Sequence, residues 1–308
     1  MIRHSAAALL ALGGLAGAAT AQTPETAPTA AAAPGAPSGP WRTGVTVGAA
    51  HMFDAGLDGG GDFSATRWYA QATLSYAFDP RTSIGLTVGG GVEDYDFSGV
   101  GAPWDQINEL RVGVPVRFSP HDRVDVFAIA SLRWHAEDGG SLDDGRTEGL
   151  IAGATYAVSD RLRIGPGLGV FSQIEDDVSV FPILLIDWRI TDRLALRTGA
   201  GFAATQGPGL TLDWQATDTL SLGLGARSED SRFRLDDSGP APGGVGEETG
   251  FPIYATATWR PLPYASLVAV AGAKVAGSLR LENANGQTQA KDDYDAAPFV
   301  GIAGSLRF

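Results

Sequence analysis

The chain has no cysteine in 308 residues. It therefore needs neither a disulfide nor a reducing compartment. Histidine is nearly as scarce, at four, and together these deficits argue against zinc, copper or iron sites. Long apolar runs are missing as well. The nearest approach, Ala265 to Leu279, is broken by Lys274, well short of the roughly 20 apolar residues of a helical membrane span. Positive charge is in deficit, with 22 Lys and Arg against 35 Asp and Glu and a formal net charge of −13. That sign excludes a nucleic-acid surface built on phosphate neutralisation. No G-x-S-x-G, H-E-x-x-H or phosphate-loop pattern occurs.

What is present begins with an export signal. Arg3 supplies a positive start, Ala6 to Ala19 an apolar core, and Ala19-Thr20-Ala21 a small-residue cleavage site. Residues 1–21 are read as a signal peptide; the alternative, a retained anchor helix, suffers from the short, Gly-rich run. Residues 22–40 are Ala- and Pro-rich, with Glu25 the one charge. Such a tract buries too little apolar surface to offset its ordering entropy, so it is read as a disordered periplasmic leader. Residues 41–308 show no composition break and form one unit.

That unit alternates. In 66–78, Trp68, Ala70, Ala72, Leu74, Tyr76 and Phe78 share one face, and Arg67, Tyr69, Gln71, Thr73 and Ser75 the other. In 109–118 the split is Leu110, Val112, Val114, Val116 and Phe118 against Glu109, Arg111, Gly113, Pro115 and Arg117. Period two over this length is the strand signature. About fourteen such segments follow one another, each near the roughly 9–11 residues of a membrane-spanning strand. Twelve are joined in pairs by six tight turns: YAFDPRTSIGL (76–86), VRFSPHDRVDV (116–126), YAVSDRLRIG (156–165), WRITDRLALR (188–197), WQATDTLSLG (214–223) and WRPLPYASLV (259–268). Rings gather at this end: Tyr76, Phe78, Phe118, Tyr156, Trp188, Trp214, Trp259 and the terminal Phe308. Aromatic rings recurring at one level match a hydrocarbon–water boundary. Longer, acidic, Gly-rich links occupy the other end at 54–64, 97–105, 137–146, 233–248 and 282–294, with tight links near 175–177 and 205–208.

These observations predict an all-β fold: a transmembrane antiparallel up-and-down β-barrel of about 14 strands (range 12–16), with short periplasmic turns and longer acidic external loops. The 42 glycines suit strands that must curve and crowd. The last strand ends Val300, Ile302, Gly304, Leu306, Phe308 on one face. This ending resembles the carboxy-terminal assembly signal of bacterial outer-membrane proteins, and the whole of 41–308 resembles a porin-like outer-membrane barrel in architecture. The resemblance implies a Gram-negative outer membrane, contact with its lipid and lipopolysaccharide, and insertion by the barrel assembly machinery.

Charged residues on the polar face belong in a lumen, because each would cost several kcal/mol against lipid (about 2–4 for Arg or Lys at the midplane). The lumen-lining candidates are Glu109, Arg111, Asp125, Arg133, Arg163, Asp187, Arg189, Arg197, Asp213, Arg227, Lys274 and Arg280, with Glu229 on the same face. Two readings follow: a charged lining of a narrow passive channel for small hydrophilic solutes, or pairs that hold a filled, closed barrel acting through its external loops. A lipid-modifying enzyme is a remote third. His121 lies in a turn, and His51 and His135 lie near the external end. His135 and Ser131 share a face but stand roughly 13 Å apart along the strand, too far for a relay. The chain is therefore expected to be non-enzymatic, with no catalytic residue, metal or cofactor. Asp54, Asp58 and Asp62 lack the alternating spacing of a calcium loop. Acids such as Asp236, Asp237, Glu247 and Glu248 are expected to be solvated at the external end, and nucleic acid is not expected as a partner.

Overall fold

A computed structural model describes residues 39–198 and 209–308. The signal peptide, nearly all of the leader and the tight link at 205–208 lie outside the described residues. Sixteen strands follow in order: β1 (Trp41–Gly56), β2 (Asp62–Asp79), β3 (Thr82–Ser98), β4 (Gln106–His121), β5 (Val124–Glu137), β6 (Arg146–Ser159), β7 (Leu162–Gln173), β8 (Asp176–Arg189), β9 (Leu194–Thr198), β10 (Gly209–Gln215), β11 (Leu220–Arg227), β12 (Glu229–Arg234), β13 (Val245–Leu262), β14 (Ala265–Glu282), β15 (Thr288–Tyr294) and β16 (Ala297–Arg307). Among the described residues there is no helix.

Strands adjacent in the wall pair antiparallel, and β1 pairs with β16 from Gly44↔Arg307 to Met52↔Phe299, which closes the ring. Two pairs of elements are halves of one strand. β13 pairs with β11 over 253–259 and with β12 over 245–250. β14 pairs with β16 over 265–274 and with β15 over 277–282. The wall is thus a closed antiparallel barrel of fourteen strands, as the alternation predicted.

Alternation decides which side chain faces where. On β3 and β4, Leu86, Val88, Leu110 and Val116 are exposed on the outside, while Thr87, Glu93 and Arg111 between them are buried inside. The outer surface carries a continuous apolar belt, including Val45, Val47, Leu74, Leu168, Val180, Leu224 and Ile302. At its short-turn edge stand Phe78, Phe118, Tyr156, Trp188, Trp214, Trp259 and Phe308, all exposed. Tyr76 packs edge-on between Trp41 and Phe78, with centroids 4.8 and 5.0 Å away. Exposed apolar surface of this extent marks a contact surface, with lipid or with protein.

Glycine does specific work on the inner face. A Cβ at Gly149 would lie 2.3 Å from the Phe171 ring, and one at Gly169 would lie 2.4 Å from Phe181. The missing side chains let both rings lie flat on the wall, stacked 5.8 Å apart. With Phe127, Ile151, Ile183 and Leu185 they form an apolar inner wall on β5–β8. β8 is therefore apolar on both faces.

The outer end differs from the expectation. Two of the long acidic loops are shorter than expected: strand takes both ends of 233–248, leaving 235–244 between β12 and β13, and only 283–287 separate β14 from β15. Glu247 and Glu248, expected in solvent, are 5% and 2% exposed. Their cationic partners lie on other strands, so composition along the chain gave no sign of the pairing.

Candidate functional site

The outer parts of β12–β15 leave the barrel wall together. β11 and β12 are interrupted at Ser228, the β13–β14 register shifts between Thr249 and Phe251, Ala276 has a left-handed φ of 51°, and β15 stops before β16 at 295–296. Register places these breaks on one level, since Glu229 faces Gly250, Thr249 faces Ser278, and Gly277 faces Tyr294. Bulges and left-handed residues bend a sheet where they occur. Four in a row make a hinge line, and beyond it the four strands form a flap.

The flap crosses the mouth. β12 pairs with β13 on one side and, through Arg234↔Ala136, with β5 on the other. Counted round the wall, β5 is the fifth strand and β13 the twelfth, half a turn apart. β12 therefore lies one strand spacing, about 5 Å, from the outer end of β5. The β14–β15 turn reaches the β7–β8 turn, where a Cβ on Gly286 would lie 2.5 Å from the Glu175 carbonyl oxygen.

Two sets of contacts hold the flap down. The first is aromatic. Phe233 of β12, fully buried, meets Trp104 edge-on at 5.1 Å and His135 at 5.5 Å. Phe63, Tyr95, Leu279, Leu281 and Tyr294 complete the cluster. The second is ionic. Lys274 lies 2.7 Å from Glu248 and 3.0 Å from Glu229, and Arg67, paired with Glu93 in the wall, lies 3.8 Å from Glu229. The hydroxyls of Tyr95 and Tyr294 each donate to Glu248 at 2.8 Å. On the other face of the flap Arg232 pairs with Glu247 and, at 2.7 Å, with Glu282, and donates to the Ile174 carbonyl at 2.9 Å. Arg234 reaches Glu175 at 2.7 Å. Buried carboxylates and guanidiniums persist only when paired and hydrogen-bonded in this way.

Outside the flap, Glu137 accepts from the backbone N–H groups of Asp105 at 2.9 Å and Asp236 at 3.0 Å. It thereby ties 99–105 and 235–244 to the end of β5. Burial raises its carboxyl above the usual range. At the opposite rim, the Arg81 backbone N–H bonded to Asp79 at 2.6 Å lowers that carboxyl.

Most of the sequence-derived lining residues are brought together, in two layers. Glu109, Arg111, Arg133, Arg227 and Lys274 lie in the buried layer beneath the flap, and Arg280 pairs with Glu247 on the flap's other face at 3.2 Å. Nearer the short turns, Asp125 joins Arg117 at 3.0 Å and Arg163 at 2.5 Å. Arg197 lies 3.4 Å from both Asp187 and Asp213. This second layer is more open: its side chains are 18–43% exposed, against 1–20% for the ion-paired side chains beneath the flap. Arg189 is not brought in; it is exposed at the rim and donates to the Asp160 carbonyl. Sequence reasoning missed Glu93, Tyr95, Trp104, Arg232, Phe233, Tyr294 and Glu282. The one available signal was length, since β13 and β14 at 18 residues each exceed the roughly 9–11 that a span needs.

The histidines are occupied structurally. His135 donates from Nδ1 to the Arg232 carbonyl at 2.9 Å, His51 shares a hydrogen bond with Thr66, and His121 accepts from the Arg123 N–H. Among the described residues no group of three or more side chains could hold a metal.

No family model and no curated protein matches the sequence. The fold is similar to solved barrels. An outer membrane channel from Pseudomonas putida F1 aligns over 90% of this chain and 100% of its own at 13% identity, with a TM-score of 0.51. A FadL homologue of Pseudomonas aeruginosa aligns over 86% and 90% at 11% identity, TM-score 0.48. The translocator domain of the autotransporter NalP from Neisseria meningitidis aligns over 89% and 90% at 13% identity, TM-score 0.40. At these identities the likeness is one of fold.

Proposed function

We propose that this chain is an outer-membrane protein of a Gram-negative bacterium, exported through a cleaved signal peptide, and that its barrel is a narrow, non-enzymatic channel for small hydrophilic solutes. In the described conformation the flap is its closed outer gate. The hinge line at Ser228, Gly250, Ala276 and 295–296 is the observation that carries this reading. A barrel that only needed a filled lumen has no use for four aligned breaks.

The apolar belt suits a hydrocarbon layer, and the aromatic rim suits its periplasmic boundary. The acidic outer loops suit contact with lipopolysaccharide through divalent cations, and Phe308 suits delivery by the assembly machinery. The solute class follows from the accessible lower lumen, where Arg117, Arg163 and Arg197 alternate with Asp125, Asp187 and Asp213.

Planar-bilayer recording of the purified mature protein tests this. The wild type should conduct rarely, and a variant with 235–244 replaced by a short turn should conduct often. If that variant folds yet stays silent at all voltages, the channel reading is overturned. The sealed mouth would then favour the second reading, a closed barrel acting through its external surface.

A further inference from the structure

The short-turn mouth of the barrel holds more positive charge than its acids answer. Asp125 pairs with Arg117 and Arg163, and Asp187 and Asp213 share Arg197. Arg42 on β1, Arg260 on β13 and Arg307 on β16 stand in the remaining sector of the wall, and all three are exposed. Among the described residues, none of the three has a carboxylate within ion-pair distance. Asp213, the acid whose charge reaches Arg260, is already held by Arg197 at 3.4 Å.

The three side chains share the inner face of neighbouring strands. Trp259 and Leu306 are exposed on the outer belt, so alternation turns Arg260 and Arg307 inward. Arg260 donates from Nη1 to the hydroxyl of Ser221, a buried inner-wall residue, at 3.1 Å. Arg307 feels the charge of Arg260 across β14, the strand between them. It also stands opposite Gly44, where a Cβ would lie 3.9 Å from the Arg307 Cγ. Arg42 is the next residue of β1 on that face, a diagonal neighbour within reach of a long side chain. Hydroxyls line the same strip. Ser266 and Ser305 share a hydrogen bond of 2.6 Å, and Thr46 faces Ser305. Like charges gathered without a carboxylate raise the local potential, and the low-dielectric walls of a mouth focus it. Accessible guanidiniums flanked by hydroxyls are the groups that hold an oxyanion, since the planar fork matches a carboxylate or a phosphate.

We infer that this sector is a binding site for a small oxyanion, the carboxylate or phosphate of a solute, with Arg260 and Arg307 as the paired charges and Arg42 as the third. The inward direction separates it from a lipid-headgroup contact. Its occupant arrives from the short-turn side, so the flap need not open. The inference rests on the channel reading and deepens it, because it gives the solute a sign. Binding, however, is measurable without conduction.

The test is phosphorus-31 NMR line broadening of inorganic phosphate on the full mature barrel, in non-ionic detergent at low ionic strength. The wild type should show saturable broadening. The double variant Arg260→Gln/Arg307→Gln should weaken phosphate binding about tenfold or more, and Arg307→Lys should keep part of it. Arg161→Gln, at a turn where Asp192 is the partner, should leave it unchanged. Displacement by acetate extends the site to carboxylate-bearing solutes, and phosphate binding that acetate leaves alone restricts it to phosphate-bearing ones. Absence of saturable broadening in the wild type overturns the inference, as does a folded double variant that binds like the wild type. An equal loss in Arg161→Gln overturns it too, by showing diffuse charge rather than a site. Should the double variant fail to fold, unchanged affinity in Arg42→Gln overturns it equally. Binding with no conductance in any variant would sink the channel reading and leave the site standing; conductance without binding does the reverse.

Discussion

Phe233→Ala should open the mouth without dismantling the barrel. Phe233 is fully buried and closes an aromatic box with Trp104, Tyr95 and His135. Truncating a buried Phe costs about 3–5 kcal/mol. The loss falls on the flap, because β12 is not a wall strand below the hinge: β11, β13, β14 and β16 keep their ladders there. Converted at about 1.4 kcal/mol per decade, the ratio of open to closed flap should rise roughly a hundredfold to a few thousandfold. The ionic contacts of Arg232 and Arg234 remain, so the change is best read relative to the wild type. Amide hydrogen exchange over 229–250 reports the ratio directly, and single-channel open probability reports its consequence. Unchanged exchange in 229–250 would refute the reasoning, since Phe233 would then not hold the flap. An equal rise in exchange across β1–β4 would refute it differently, by showing that flap and wall open as one unit.

Further outcomes follow from the same contacts. Arg232→Ala leaves Glu247 and Glu282 with Arg280 alone, at 3.2 and 3.5 Å, and removal of one partner from such a cluster costs at most about 3–5 kcal/mol; exchange over 245–250 and 278–282 should rise while the lower wall keeps its protection. Val47→Arg places a charge on the outer belt, where 53% of the side chain's residue surface is exposed. It should cost about 2–4 kcal/mol of barrel stability in a lipid-refolding titration, and a neutral result would argue against a lipid-facing belt. Glu137 gives a pH effect of definite sign. Its carboxyl is raised by burial, so between its ordinary and raised values the folded chain binds a proton that the unfolded chain has released, and stability falls as pH rises through that window. Protection factors of the Asp105 and Asp236 amides should decline over that range, and Glu137→Gln should flatten the decline.

Much of this was legible because it is local. Which residues of β4 face outward is decided by the pleat, and Leu110, Val112, Val114 and Val116 announce it within a single strand. The rim rings announce the short turns in the same way. Arg111, Arg133, Arg227 and Lys274 share inward parity, and the side chains of all four are buried or nearly so. Parity failed where geometry beyond one strand took over. Arg189 has inward parity but stands at the rim, where the strand has already left the lumen. Glu247 and Glu248 read as loop acids, yet a hinge two to three residues away turns their strand across the mouth and buries them against Arg232 and Lys274.

The sequence by itself determined an antiparallel barrel, its approximate strand number, its inside and outside, and which end carries the short turns. All of these depend on period two and on turns of a few residues. Only the tertiary structure decided that the outer end is shut. That outcome needs the breaks at Ser228, Gly250, Ala276 and 295–296 to fall on one level, and it needs β12 to meet β5 half a turn away. It also decided that Arg111 shares the Glu109 carboxylate with Arg133. Register between strands sets such pairings, and register depends on contacts far apart in the chain, which no single strand's pattern contains.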